Sequence, residues 1–423
     1  MMNYKNSLNL FDRAIKSIPV ASQTFSKSHY SIPKGGAPLF LEKGKGDKVW
    51  DVDGNEYIDQ VNGLLSVSIG YCDDDVDSAI KKQLKNGINF SLPHRLECEV
   101  AEKIIEIIPS AEMVRFGKNG TDVTSAAVRL ARAYTNKNRV AICGYHGWQD
   151  WYIGITARNL GVPKVVSDLS VTFNYNDLES LENLFTCYSD IGSVILEPMA
   201  AIYPSEEFLT GVRDLCNKYG AILIFDEMIT GFRLHKGGAQ ALFGVTPDLS
   251  TFGKGMANGM PVSAIVGRKD IMEYMDKIFF SGTFGGETLS LAAASCVLDK
   301  YINLPVTEHF YEMGKMLTDG IDILKLKYDI DFFNLIGHES WKVFSINHTD
   351  DLLIKSIIIE NLAKNGVLTI GSHNMSYSTN TQSIIKILSA YDKTFSLLTE
   401  GIRINNLNGL LSGDPIKPVF KVR

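Results

Sequence analysis

The sequence predicts an α/β protein, with a large domain on a mostly parallel, doubly wound sheet and a smaller α+β domain. Three observations carry this. At 423 residues the chain is too long for one compact core. From about residue 95, short apolar runs edged by turn residues alternate with stretches of helical spacing, the pattern of parallel strands joined by crossovers. From about Pro305 the pattern shifts to long helices with a few strands among them. The expected domains are residues 1–59 (a helix and hairpin packing with the small domain and the active site), 60–305 (the large domain) and 306–423 (the small one).

Composition narrows the class. The chain is 45% hydrophobic, 10% aromatic and 21% charged, which excludes a disordered or collagen-like polymer. Lys+Arg 42 against Asp+Glu 48 leaves a formal charge of −6, so no global basic field for nucleic acid is expected. The six cysteines are scattered, without a CxxC pair or zinc-like spacing, which favours reduced thiols, a cytoplasmic protein and no metal site. No uncharged apolar run reaches the length of a membrane span, so no membrane partner is expected.

Taken in order, the polar stretch Met1 to Asn9 leads into Phe11, Ile15 and Ile18 among Asp12, Arg13 and Lys16, read as a short amphipathic helix. Lys48 to Val52 and Asn55 to Asp59 flank Asp53-Gly54, a strong hairpin signal. Ala101 to Ile108 and Thr124 to Tyr134 have helical spacing. Val140 to Cys143, Ser193 to Leu196 and Ala221 to Phe225 read as buried strands. Then come helix Val306 to Leu326, strand Lys342 to Ile346 and helix Thr381 to Glu400.

Four pieces bear chemistry. The strand Ala221 to Phe225 ends in Asp226-Glu227, either a functional carboxylate at the sheet mouth or a solvated strand end or helix N-cap. Gly253-Lys254-Gly255 follows a short apolar strand, and its glycines leave the lysine room to approach a ligand. It is not a P-loop, because Gly255 stands where Ser or Thr should follow the lysine. Nor is it a dinucleotide fingerprint, because the third glycine position is Asn258. Asn119-Gly120-Thr121-Asp122 opens a helix, suited to a phosphate or simply to capping. Tyr145-His146-Gly147-Trp148 follows another strand, with core packing or a structural histidine as the bland reading. Together, and in this order, a phosphate cup, an aromatic plane, a strand-end aspartate and a glycine-flanked lysine 28 residues later are what a pyridoxal-phosphate site requires.

At this point the chain resembles the class-III, fold-type I aminotransferases, and among them the glutamate-1-semialdehyde aminomutase group, from roughly Phe11 to Leu398. The carrying pieces are Trp50 to Asp59, Tyr145-His146-Gly147, Leu196-Glu197-Pro198, Phe225 to Arg233, Pro247-Asp248-Leu249, Gly253-Lys254-Gly255 and Gly282-Thr283. The resemblance implies pyridoxal 5′-phosphate on Lys254 as a Schiff base, with Asp226 on the pyridine nitrogen. Tyr145 would stack on one ring face and Met228 cover the other, with Asn119, Gly120 and Thr121 on the phosphate. His146, Glu197 and Arg233 match positions near the ring, and for Glu197 and Arg233 an ion pair or direct chemistry both stay open. Thr283 would reach the cofactor of a partner subunit, which implies a homodimer.

Departures bear on the substrate. The group's Ser-Pro-Val-Arg segment reads Ala21-Ser-Gln-Thr-Phe-Ser-Lys27, with no arginine, and Asn62-Gly-Leu64-Leu65 stands where a tryptophan is expected. The expected function is transfer of an amino group from a donor, glutamate in the first instance, to an aldehyde or ketone, hydroxylated or sugar-like, in surface-carbohydrate biosynthesis. The alternative is an intramolecular aminomutase, and a remote one is a non-catalytic cofactor-binding dimer. A nicotinamide dehydrogenase is disfavoured by the lack of an early GxGxxG.

Overall fold

A computed structural model describes residues 2–418. Strands β1 (Leu41–Lys45), β2 (Lys48–Asp51) and β3 (Glu56–Asp59) come first. They are followed by β4 (Met113–Gly117), β5 (Arg139–Cys143), β6 (Ser170–Thr172), β7 (Ile191–Leu196), β8 (Ile222–Asp226), β9 (Leu249–Phe252) and β10 (Ser263–Gly267). Last are β11 (Phe333–Ile336), β12 (Trp341–Ile346), β13 (Val367–Leu368) and β14 (Ser372–Asn374). The chain forms two compact units. One takes the residues up to Leu64, Ile69–Asp73 and those from Glu308; the other takes Leu65–Ser68 and Asp74–Thr307.

The larger unit holds a seven-stranded sheet of order β4-β10-β9-β8-β7-β5-β6. β6 through β9 pair in parallel, and β10 alone runs antiparallel to both its neighbours. All residues of β7, β8, β9 and β10 are buried, as expected of strands covered on both faces. The helix Gly120–Thr135 packs on this sheet through small side chains, Ala126, Ala127 and Ala131, with Val123 and Leu130 between them. Burying each of the larger apolar side chains contributes about 1.5–3 kcal/mol. The other face is closed by Phe208, Leu209, Val212 and Cys216 on the helix Phe208–Tyr219.

In the smaller unit β2 and β3 form the hairpin read from Asp53-Gly54; Gly54 has φ +86°, and its amide donates to the Asp51 carbonyl at 3.0 Å. β13 extends the hairpin in parallel, pairing Val367 with Ile58, so segments from both ends of the chain share one sheet, β1-β2-β3-β13. A second sheet has the order β11-β12-β14.

The first helix departs from its sequence reading. It spans Lys5–Ala14, so Ile15 and Ile18 lie beyond it. Its early start is set by a tertiary contact: the Asp53 carboxylate in the hairpin turn accepts from the Asn6 amide at 2.7 Å and the Ser7 amide at 2.9 Å. A carboxylate on free N–H groups stabilises a helix start, here supplied from 46 residues away. Among the described residues no helix is long and apolar enough to cross a membrane, and no cluster of His, Cys, Asp and Glu could hold a metal.

Candidate active site

Every residue singled out for cofactor chemistry lies in the larger unit, most of them at the ends of its strands. β8 ends at Asp226, which is 3% exposed. Its Oδ1 accepts from the Met228 amide at 3.1 Å and the Thr251 hydroxyl at 3.4 Å. Oδ2 faces His146 Nδ1 at 2.8 Å. The other ring nitrogen of His146 lies 3.1 Å from the Cys143 carbonyl, which can only accept, so Nε2 carries a hydrogen. A proton must then also lie between Nδ1 and Oδ2, because two bare acceptors would repel. The pair is a charge-assisted hydrogen bond between buried groups.

Glu227, the adjacent carboxylate, does something else. It is buried and accepts from the amides of Ala239 at 2.8 Å and Gln240 at 3.0 Å, and from the Thr230 hydroxyl. It therefore caps the start of the helix Gly238–Phe243. The helix-cap reading left open for the strand end thus falls to Glu227.

β9 leads into Gly253-Lys254. Lys254 sits at φ +36°, a conformation unfavourable for any residue with a side chain and characteristic of functional positions. Its amine makes no hydrogen bond or ion pair among the described residues. Burial lowers its pKa; Asp226 and Glu197 oppose that effect, and Arg233 adds to it. Glu197, just past β7, accepts from the Tyr145 amide at 2.9 Å. Burial raises the pKa of Glu197, as does the charge of Asp226, with His146 opposing. Gly144 is obligatory here: at φ +106°, a Cβ on it would stand 2.6 Å from Glu197 Oε2. Arg233 is 2% exposed, its pKa pulled down to about 10 by burial with Tyr301 opposing, and its charge acts on Lys254.

The helix Gly120–Thr135 starts with a capping box in which Asp122 accepts from the Asn119 amide at 2.7 Å. A Cβ on Gly120 would come 2.8 Å from Met228 Sδ, and one on Gly253 2.9 Å from the same sulfur. Met228 thus spans the space between the helix start and the lysine turn. Thr121 Oγ1 accepts from the Trp148 amide at 3.4 Å. Tyr145 is half exposed, its ring edge-on to Tyr152 at 5.6 Å. Thr283 stands on an exposed loop that Arg115 and Arg129 hold through the carbonyls of Phe280 and Phe279. It lines a cavity of about 330 Å³ with Lys118, Asp122, Arg129 and Gln149, to which Lys254, Asp226 and Tyr145 do not contribute.

Comparison with known proteins places this geometry. Residues 30–402 match the family model of the class-III aminotransferases. The chain belongs to that family. This class-III aminotransferase is 35% identical over 429 residues to glutamate-1-semialdehyde 2,1-aminomutase 1 of Macrococcus caseolyticus, covering 94% of this chain and 100% of the relative. It is 40% identical over 297 residues to the 3-aminobutyryl-CoA aminotransferase of Cloacimonas acidaminovorans, covering 68% and 71%. Among solved structures, the FumI protein of Sphingopyxis sp. MTA144 with pyridoxal phosphate superposes with a TM-score of 0.90 at 26% identity, over 97% of this chain and 99% of that one. Fold-type I is therefore the fold, as the sequence resemblance implied.

Class-III aminotransferases work with pyridoxal phosphate, and the residues present fit it. An unengaged, pKa-lowered lysine amine and a carboxylate hydrogen-bonded to a buried histidine are the donor set that the group needs. Sequence reasoning missed Thr251 and the Cys143 carbonyl, which hold the Asp226–His146 pair. The signal for Thr251 was its place on a strand end beside the lysine turn.

Proposed function

We propose that this enzyme moves amino groups between an amine and a carbonyl carbon at Lys254. The observation that carries the reading is the juxtaposition, at neighbouring strand ends, of an unengaged amine with the Asp226–His146 pair. When bound, pyridoxal phosphate supplies an electron sink for the carbanion formed at the amine-bearing carbon. Lys254 takes up and returns the proton at that carbon, a task for which a lysine whose pKa burial has lowered is suited. Asp226, with His146 behind it, would accept a hydrogen bond from the cofactor's ring nitrogen and so keep it protonated. Gly120 and Thr121 offer amides to the phosphate at the positive end of their helix. Tyr145 and Met228 would hold the cofactor ring between them.

Two forms of the reaction share this machinery. The names of the relatives weigh toward the intramolecular form, an aminomutase of the glutamate-1-semialdehyde type. One observation favours the intermolecular form, in which glutamate or another amine donates to a separate aldehyde or ketone: the segment Ala21 to Lys27 carries no arginine to clamp a substrate carboxylate bidentately. An aminotransferase also stands among the relatives. Absorption spectra of the purified protein with L-glutamate and no acceptor separate the two. Bleaching of the lysine-linked band at stoichiometric turnover supports the intermolecular form. Conversion of glutamate-1-semialdehyde without any donor supports the mutase. A protein that cannot be reconstituted with pyridoxal phosphate would sink both.

We further infer a cytoplasmic homodimer in which Thr283 reaches the partner subunit's phosphate. Its support is the exposed loop bearing Phe279 (82% exposed) and Phe284 (59% exposed), more apolar surface than a solvated loop carries. Light scattering coupled to gel filtration tests it, and a monomer at micromolar concentration would refute it.

A further inference from the structure

The last described stretch of the smaller unit is fastened more tightly than a chain terminus needs. Ser412 to Lys417 lie beyond residue 402, where the match to the family ends. Ser412 and Gly413 donate their amides to the two carboxylate oxygens of Glu360, each at 2.8 Å. Asp414 donates to the Lys34 carbonyl at 2.8 Å, Ile416 to the Ser356 hydroxyl at 3.1 Å and Lys417 to the Tyr30 carbonyl at 2.9 Å. Pro415 has no N–H, so every backbone donor from 412 to 417 is used. Termini are loose unless tied down in this way. The acceptors belong to two elements, the helix Asp351–Lys364 and the segment 30–34, and the tail stitches one to the other.

Both elements lead into the lining of one cavity of about 430 Å³. Ile32, Pro38 and Leu39 line it from the segment, and Leu368 and Ile370 line it just past the helix. We propose that residues 412–417 form a clamp that holds these two walls in register, with Glu360 as its positioning residue. The step from the walls to the substrate rests on the amino-transfer reading above, in which Ala21 to Lys27, part of the same lining, faces the substrate.

Glu360 is suited to the task. It is wholly buried, and burial pushes its pKa up, but Lys364 at 2.6 Å and the Gly413 and Ser412 amides outweigh burial and keep it a carboxylate. Lys364 also donates to the Ser412 hydroxyl at 2.9 Å. Amide bonds to a charged acceptor are the strong kind. The packing leaves no slack. A Cβ on Gly36 would overlap the Glu360 carboxylate, and one on Gly413 would stand 2.6 Å from the Gly36 nitrogen and 2.8 Å from the Lys34 carbonyl oxygen. Tail and segment thus meet backbone to backbone, an approach that glycine permits. The hold is made by amides, so the exposed Asp414 side chain contributes nothing to it.

Hydrogen exchange of the full-length holoenzyme, read by mass spectrometry on peptides covering 28–41, 365–372 and 405–418, tests the clamp. Gly413→Ala and Glu360→Gln should each speed exchange of the tail amides by about 10–100-fold, the effect of losing one bond to a charged group. The same variants should speed exchange in both wall peptides. Asp414→Ala, which keeps its amide, should change none of the three. With whichever of L-glutamate and glutamate-1-semialdehyde the wild type consumes, the two clamp variants should raise KM about tenfold and leave kcat within about threefold, the sign of binding lost equally in ground and transition state. The lysine-linked absorbance band should persist in both. A tail that is merely structural would lower Tm without moving KM. Exchange that quickens in the tail alone, or a KM that stays put while the tail is loose, overturns the proposal. A wild type that consumes neither compound counts against the amino-transfer reading, and exchange in the wall peptides then still decides the clamp.

Discussion

His146 in the larger unit and His373 in the smaller one are both almost wholly buried, at 2% and 0% exposure, yet their neighbours give them opposite electrical roles. His146 lies between the Asp226 carboxylate and the Cys143 carbonyl, so the pair must carry a proton between them in addition to the one on Nε2. His373 lies between the Tyr391 hydroxyl at 2.6 Å and the Gln60 side chain at 3.2 Å, groups that can serve one donor and one acceptor. Burial pushes its pKa down to about 3, and it stays neutral. Burial alone thus does not decide the state of an imidazole; the presence of a carboxylate does.

The largest expected effect is at Lys254, in the same unit as His146. Lys254→Ala should remove the lysine-linked absorbance band and cut turnover by about 10⁴-fold or more, with an unchanged circular dichroism spectrum. Asp226→Asn, which keeps the shape and removes the charge, should cost about 10²–10³-fold in kcat. His146→Gln should cost less, about 10–100-fold, the usual effect of a residue acting through another. Equal losses for His146→Gln and Asp226→Asn would show that the two act as one unit.

Glu227→Gln sharpens the contrast between adjacent carboxylates. It should lower the melting temperature, because the capped helix loses its charged acceptor, while kcat of the folded enzyme changes by less than about threefold. A larger fall in kcat would mean that the two carboxylates are not divided as their hydrogen bonds indicate.

For His373 the readout is pH. Its folded pKa of about 3 lies below the ordinary value of 6.5, so below 6.5 the unfolded chain takes up a proton that the folded one refuses. Its contribution to stability is complete above pH 6.5 and is lost as pH falls toward 3, at up to about 1.4 kcal/mol per pH unit. Denaturant titrations of the wild type and His373→Phe between pH 7 and 4 should show a shallower slope in the variant. Parallel slopes would mean that the imidazole is reached by solvent before the unit unfolds.

Much of this was legible in the sequence because the signals were local. Asp53-Gly54 announced its hairpin, and the apolar run before Asp226 announced its strand. Asp226, Lys254, Tyr145 and Gly120 could be singled out because each sits at a junction of strand and turn. What was not legible depended on contacts distant in sequence. The Asp53 cap on the first helix joins residues 46 apart, and the His146–Asp226 pair joins residues 80 apart. No propensity marks Leu64 or Leu65 for a left-handed turn, since that shape is imposed by tertiary contacts. The reversed direction of β10 also left no trace, because a buried apolar strand reads alike both ways.

That reversed strand has a consequence for how the enzyme is made. β4, which leads into the helix Gly120–Thr135, sits at the sheet edge with β10 as its hydrogen-bonded neighbour, from Met113↔Gly267 to Gly117↔Ser263. On a ribosome the two are separated by about 150 residues of synthesis, roughly ten to thirty seconds at ordinary elongation rates. Until β10 emerges the edge is unzipped, and Asn119 also lacks the Ser263 hydroxyl that donates to its carbonyl at 2.9 Å. The edge pairing of β4, and with it the Ser263 anchor at the start of the helix Gly120–Thr135, is therefore completed late in the life of the nascent chain, after Lys254 has already been made.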